Sequence, residues 1–341
     1  MRLLISAVEA SADRLGAELV TALRRRGPVE VRGLVGPALR AVGAEPLPGT
    51  GDPLAVMGLQ ELFAHIGRIR ANAAALRSAL NEKPDVFVPI DAADFHLGLA
   101  SEARRRGVRT VGYVCPQFWA WRPGRADKLA ASFDRLLCLF RFEPEQLVGK
   151  GLDAVWVGHP VVDRVAASSR EPGTLAIFPG SRRSELRALL PVFLEVAARS
   201  GARRVLLPVA STISRADLGV LPAGVETCRP EEALAVAERA LTKSGTSSLE
   251  LAVAGVPMVV AHRVPWLTWL VGRLVVRGVK HLALPNILLD GPVVAERVQW
   301  FDSGELTDLL RSAAPPPAAR LLEVLGPPGV AERAAAAVWA P

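Results

Sequence analysis

Short apolar runs alternate with longer amphipathic stretches in this chain, and they do so in two successive series, which leaves few folds open to it. Leu3–Val8 opens the first series, and Ser11–Arg26 follows with Leu15, Leu19, Val20 and Leu23 at helical spacing. Val29–Val35, Val86–Ile90, Thr110–Val114, Leu136–Leu139 and Val155–Val157 are further short runs. Strands of this kind separated by helices imply βαβ units and a parallel sheet, whose ligand crevice lies at the carboxyl ends of the strands. Glu9, Asp91 and Pro116 fall at those ends.

The pattern pauses around Gly158-His159-Pro160, and Ala166–Gly173 is polar and loop-like, so the inter-domain linker is placed there. A second alternation then runs through Thr174–Phe178, Arg204–Pro208, a helix over Glu231–Arg239, the apolar lead-in to Leu241, and Met258–Ala261. The expectation is an α/β protein of two Rossmann-like parallel-sheet domains facing a central cleft, residues 1–165 and 166–314. The tail, 315–341, is rich in Ala and Pro and ends in a helix, Val330–Val338, expected to pack back on the first domain.

Several function classes are disfavoured by composition. At 341 residues, half of them hydrophobic and 22% charged, the chain is globular and far from disorder. Cys115, Cys138 and Cys228 stand singly, without metal-ligand spacing, so neither a disulfide framework nor a metal site is expected. The start, Met1–Val8, has too short an apolar core for a signal peptide, and no apolar run reaches membrane-spanning length; a cytoplasmic protein is expected. The net charge of +7 favours phosphates or an anionic lipid surface as partners. Nucleic acid is disfavoured, because the basic residues are scattered and not interleaved with aromatics.

Two loops carry the logic of phosphate binding. In Leu241–Glu250 an apolar run ends in Ser244, Gly245, Thr246, Ser247 and Ser248, small residues that open a helix. A helix start offers unpaired N–H groups and the positive end of the dipole, for which an anion is the natural ligand. Glu250 follows about a turn later, where it could reach sugar hydroxyls, although an ordinary N-cap with Glu250 as capping-box partner accounts for the same residues. In the second loop, Gly180, Ser181 and Arg182 turn the chain after Phe178, and Arg182 can grip a diphosphate through two parallel N–H bonds. The first loop, Ala7–Asp13, lacks the glycines of a dinucleotide-binding turn, which disfavours NAD chemistry.

Asp91 ends a buried run and is a candidate general base, with Asp94 as the cap of the next helix. Trp119 and Trp121 flank a proline-led turn and suit a pocket wall or a plug between elements. Val56, Leu59, Leu62, Phe63 and Ile66 form one helical stripe, beside Met57 and followed by Arg68 and Arg70. Such a stripe packs on the sheet, or it lies on a bilayer and cradles acyl chains; periodicity does not separate the two. A zone around Trp266 and Trp269 has the same ambiguity. His159, His281 and Asn286 sit near turns and have ordinary structural readings.

Taken together, the motifs resemble those of the lipid-A-disaccharide synthases, glycosyltransferases of GT-B architecture. The correspondence runs nearly end to end: Glu9-Ala-Ser-x-Asp13, Ala55–Gly58, Lys83–Phe87, Ile90–Phe95, Pro116–Arg122, Gly158-His159, Pro179–Arg182 with Glu185, Ser244–Glu250, and Leu284–Asn286. The resemblance implies transfer of 2,3-diacylglucosamine from its UDP conjugate to 2,3-diacylglucosamine 1-phosphate, with inversion, giving the disaccharide and UDP. By the same analogy Asp91, Arg182 and Glu9 are catalytic. Gly180, Ser181, Arg182, Ser244, Gly245, Thr246, Ser247, Glu250 and Asn286 hold the UDP-sugar. Ser11, Asp13, Val56, Met57, Leu59, Leu62, Phe63, Ile66, Trp119 and Trp121 meet the acceptor and its lipid. No metal or other cofactor is implied; the partners are an acylated UDP-sugar, a phosphorylated lipid acceptor and the inner face of the cytoplasmic membrane, with a homodimer left open. The chain departs from the family pattern at Val8 and Ala12, where glycines are usual, and at His262, where Tyr is often found. Another UDP-sugar transferase or epimerase, and a non-catalytic nucleotide-sugar or lipid binder, are the alternative readings.

Overall fold

The computed structural model describes residues 1–51, 59–116, 124–164, 169–210, 213–264 and 280–340, with side chains of the helix that begins at Leu59 described from Ile66 onward. The chain divides into two compact units, one formed by Met1–Pro160 with Leu325–Pro341 and the other by Val161–Val324.

The first unit is built on β1 (Arg2–Ala7), β2 (Glu30–Leu34), β3 (Glu45–Pro46), β4 (Val86–Ile90), β5 (Arg109–Tyr113), β6 (Arg135–Cys138) and β7 (Asp153–Trp156), in the order β3-β2-β1-β4-β5-β6-β7. Every pairing is parallel. The central strands are covered on both faces, which is why they read as unbroken apolar runs: all five residues of β4 are buried. One face carries a core that includes Leu76 and Leu80 from the helix Leu59–Asn81, Leu99 from Ala93–Arg105 and Leu129 from Arg125–Ser132.

The helix Val330–Trp339 packs on the helix Ala10–Arg26 within this unit. Its last carbonyls are held by two arginines of the sheet: Arg109 donates to the Val338 carbonyl at 2.6 Å and Arg135 to that of Ala337 at 2.6 Å. Cations at a helix C-terminus satisfy orphan carbonyls and oppose the negative end of the dipole.

The second unit is built on β8 (Thr174–Phe178), β9 (Arg204–Pro208), β10 (Val225–Cys228), β11 (Arg239–Lys243), β12 (Met258–His262) and β13 (Ala295–Val298), in the order β10-β9-β8-β11-β12-β13, again all parallel. Leu186, Leu189, Phe193 and Val196 of the helix Arg183–Ser200 supply much of its core.

Three strands lie outside the sequence expectation, and all are peripheral. β10 and β13 are edge strands with exposed or half-exposed residues, and β3 is two residues long, so none leaves a continuous apolar run. The helix expected over Glu231–Arg239 stops at Val236, and Arg239 already belongs to β11.

In each sheet the strand order reverses beside its first strand. These switch points fall between β1 and β4 and between β8 and β11. Crevices for ligands form outside the carboxyl ends of the strands at such points.

Candidate active site

At the β8/β11 switch point the two phosphate-type loops of the sequence become neighbours. Phe178 pairs with Thr242, so the turn at Gly180 and the turn at Ser244 leave the sheet side by side. The helix Thr246–Val253 starts at Gly245 without a side-chain cap, and the Ser248 hydroxyl turns back to the Gly245 carbonyl at 2.6 Å. With glycine at the N-cap, no N-cap side chain closes its first-turn N–H groups, and the capping-box position falls on Ser248 and not on Glu250. Thr246 is exposed, while Ser247 and Glu250 are half-buried.

Glu185 ties the two loops together. Its Oε1 accepts from Lys243 Nζ at 2.9 Å and from Arg182 at 3.1 Å, and its Oε2 accepts from the Ser181 N–H at 3.1 Å. Burial pushes the Glu185 carboxyl up, but the charge and hydrogen bond of Lys243, the charge of Arg182 and the Ser181 N–H together hold it below its ordinary range. Gly180 is required by this closure. Its φ of +123° suits glycine, and a Cβ there would come within 2.3 Å of Glu185 Oε2.

Ser244 and Asn286, read from the sequence as donor contacts, are engaged inside the fold. The Ser244 hydroxyl donates to the Leu282 carbonyl at 2.5 Å. Asn286 is fully buried and exchanges two bonds with the Val294 backbone, each of 2.9 Å. Glu296 accepts from the N–H groups of Leu282 and Ala283 and meets His281 Nδ1 at 2.6 Å. These residues brace the 281–294 loop against the Ser244 turn.

At the β1/β4 switch point Ala7 pairs with Ile90, so Glu9 and Asp91 follow adjacent strand ends. Glu9 is the N-cap residue of the helix Ala10–Arg26, and Ser11 is exposed in its first turn. Asp91 is exposed and adopts a left-handed conformation, φ +55°, as does Ala92 at +46°. Three bonds hold this turn: the Asp91 N–H to the Tyr113 carbonyl at 2.9 Å, the Ala92 N–H to Asp91 Oδ1 at 2.7 Å, and His96 Nδ1 to the Asp91 carbonyl at 2.7 Å. Because a carbonyl only accepts, Nδ1 carries the proton; Nε2 then accepts from the Ser6 hydroxyl at 2.8 Å. Burial lowers the His96 pKa to about 4, with the bond to Asp91 opposing the shift.

One sequence expectation is corrected here. Asp94 is not the helix cap: the N-cap position is Ala92, without a side-chain bond, and Asp94 pairs with Arg125. Asp13, expected on the acceptor, is buried, and its carboxylate accepts from the N–H groups of Gly36, Ala38 and Leu39, closing the start of the helix Pro37–Ala41.

Of the lipid-side residues, Val56, Met57, Trp119 and Trp121 lie outside the described residues, as does most of the Val264–Leu270 zone. Leu59, Leu62 and Phe63 fall in the helix Leu59–Asn81, and Ile66 on it is 40% exposed. Among the described residues no helix is long and apolar enough to cross a membrane.

Cys115, Cys138 and Glu143, whose spacing shows no sign of it, meet in the fold, all buried, with ligand atoms within 4.8 Å of one another. The bond to Cys138, burial and the Glu143 charge push the Cys115 thiol up, so it stays protonated. Cys115 donates to the Pro116 carbonyl and Cys138 to that of Leu136. His96 and Lys243 escaped the sequence reading altogether; the available signals were a histidine shortly after the Asp91 turn and a lysine directly before the Ser244 turn.

Two parallel α/β units, each with polar loops gathered at its switch point, define a glycosyltransferase fold of the GT-B type. Solved structures agree on the fold: the UDP-GlcNAc 2-epimerase of Methanocaldococcus jannaschii in complex with UDP-GlcNAc and UDP is similar with a TM-score of 0.59 at 12% identity, covering 98% of each chain. The calicheamicin glycosyltransferase CalG4 gives 0.58 at 16% identity, covering 98% of this chain and 92% of that one. A family model described as lipid-A-disaccharide synthetase matches residues 3–308. The lipid-A-disaccharide synthase of Anaeromyxobacter sp. (strain K) is 38% identical over 98% of this chain and 96% of its own length, and that of Burkholderia pseudomallei (strain K96243) is 38% identical over 88% and 84%. The chain belongs to the lipid-A-disaccharide synthase family.

Proposed function

We propose that the protein is an inverting glycosyltransferase that moves 2,3-diacylglucosamine from UDP-2,3-diacylglucosamine to 2,3-diacylglucosamine 1-phosphate, giving lipid A disaccharide 1-phosphate and UDP. The observation that carries the donor half is the Glu185 bridge, which gathers Arg182, Lys243 and the uncapped helix start at one switch point. Family membership supplies the acylated substrates.

In this reading the second unit binds UDP, with Arg182 and the first-turn N–H groups of Thr246 and Ser247 on the diphosphate and Glu250 on the ribose. Asp91 takes the proton from the 6-hydroxyl of the acceptor as that oxygen attacks the anomeric carbon, and Glu9 stands beside it at the same sheet end. The anomeric C–O bond to UDP breaks, and the charge growing on the leaving diphosphate is met by Arg182 and the helix start. Asp13, Ser244 and Asn286 shape the loops around these groups.

The protein acts at the inner face of the cytoplasmic membrane, its acylated substrates reaching the first unit along the helix that carries Ile66. The +7 charge and the exposure of Ile66 support this placement.

Purified protein mixed with the acylated UDP donor and the lipid acceptor should release UDP in step with disaccharide. Absence of UDP release, under conditions where a related synthase turns over, rejects the substrate assignment; faster turnover of an unacylated UDP-sugar assigns a different transferase. Sedimentation with anionic vesicles, weakened in Ile66→Asp, tests the membrane placement.

A further inference from the structure

We propose that Lys243 is a ligand of the donor's diphosphate, working with Arg182 and the helix start at Gly245. The proposal deepens the reading of the second unit as a UDP-sugar site and rests on it. Lys243 is the last residue of β11, and its side chain is 20% exposed. Its Nζ lies 2.9 Å from Glu185 Oε1 and 3.7 Å from where a Cβ on Gly245 would stand, so the ammonium sits over the entrance to the helix Thr246–Val253.

Electrostatics give this placement a direction. A helix N-terminus bears a positive partial charge, and a lysine beside it is unfavourable unless an anion joins them. Arg182, Lys243 and the helix end bring three positive elements to one switch point, and Glu185 is shared between the two side chains. A diphosphate supplies the negative charge that this group calls for, more fully still when the donor bond breaks and the charge on the leaving group grows. The fork of Arg182 stays anchored by Glu185 at 3.1 Å, while the flexible four-carbon stem of Lys243 lets its ammonium turn from the carboxylate to a phosphate oxygen.

Calorimetric titration with UDP and with uridine tests the proposal on wild type, Lys243→Ala, Lys243→Arg and the double variant Lys243→Ala/Glu185→Gln. Lys243→Ala should weaken UDP by about tenfold or more, the scale of one charge-assisted bond, and leave uridine unchanged. Lys243→Arg should stay close to wild type, and the double variant should remain weak. The proposal is overturned if Lys243→Ala binds UDP as wild type does or loses uridine equally. Recovery of UDP binding in the double variant also overturns it, since Lys243 would then only neutralise Glu185. Arg182→Ala separates the levels: if it loses UDP while Lys243→Ala does not, the donor site stands without Lys243, whereas a wild type that fails to bind UDP rejects the donor site itself.

Discussion

His96 Nδ1 donates to the backbone carbonyl of Asp91 at 2.7 Å, and this bond helps hold two consecutive non-glycine residues, Asp91 and Ala92, in the left-handed region. Each such residue costs on the order of 1–2 kcal/mol, so the turn needs outside support. His96→Ala should lower kcat by about tenfold to a hundredfold, because a base displaced by about an ångström loses much of its effect, and should leave UDP affinity unchanged. His96→Asn, whose amide can reach the same carbonyl, should recover part of the rate. Equal kinetics in all three proteins would remove His96 from the support of Asp91.

Asp91→Asn keeps the size of the side chain and an oxygen for the Ala92 N–H, but cannot take a proton. As Asp91 is exposed, the fold should tolerate the change. Turnover should fall by about 10²- to 10⁴-fold, the usual contribution of a general base. UDP titration should match wild type, which distinguishes a lost base from a damaged donor site.

The pKa of buried His96 falls from 6.5 to about 4 on folding. The unfolded chain therefore binds more protons between these values, and keeping the imidazole neutral in the folded state costs stability progressively as pH drops from 6.5 toward 4 and nothing above that window. The effect approaches about 3 kcal/mol at its acid end. As pH is lowered from 7 to 4, urea midpoints should fall more steeply for wild type than for His96→Asn; parallel curves would assign the acid sensitivity to other groups.

Gly180→Ala places a methyl against Glu185 at a backbone conformation that side chains rarely adopt. The Glu185 bridge must then shift. The expected result is a loss of about 1–3 kcal/mol of stability together with weakened UDP binding, read by thermal unfolding with and without UDP. A variant that gains as much thermal protection from UDP as wild type would show that the bridge is not needed for the donor.

Apolar patterning located the buried strands well, because strands covered on both faces leave runs that local reading detects: β4 and β8 have the bounds expected from their residues. The edge strands β10 and β13 were illegible for the converse reason, since an edge strand with wet faces has no apolar signature. The phosphate-type loops were legible as loops, because small residues before a helix start announce themselves. The engagement of Asp13 and Asn286 was not, because a polar residue near a turn looks the same whether it faces a ligand or the backbone.

By itself the sequence determined the βαβ alternation, the family, and the loops that carry Asp91, Arg182 and Glu250, all of which rest on local pattern and motif order. Only the tertiary structure decided which distant residues meet: Glu185 with Lys243, His96 with Ser6 and the Asp91 carbonyl, and Asp13 with the helix start at Gly36. The physical reason lies in the strand order. Periodicity records which side of an element is buried, whereas parallel pairing of β8 with β11 and of β1 with β4 is what brings loops far apart in the chain to one end of a sheet.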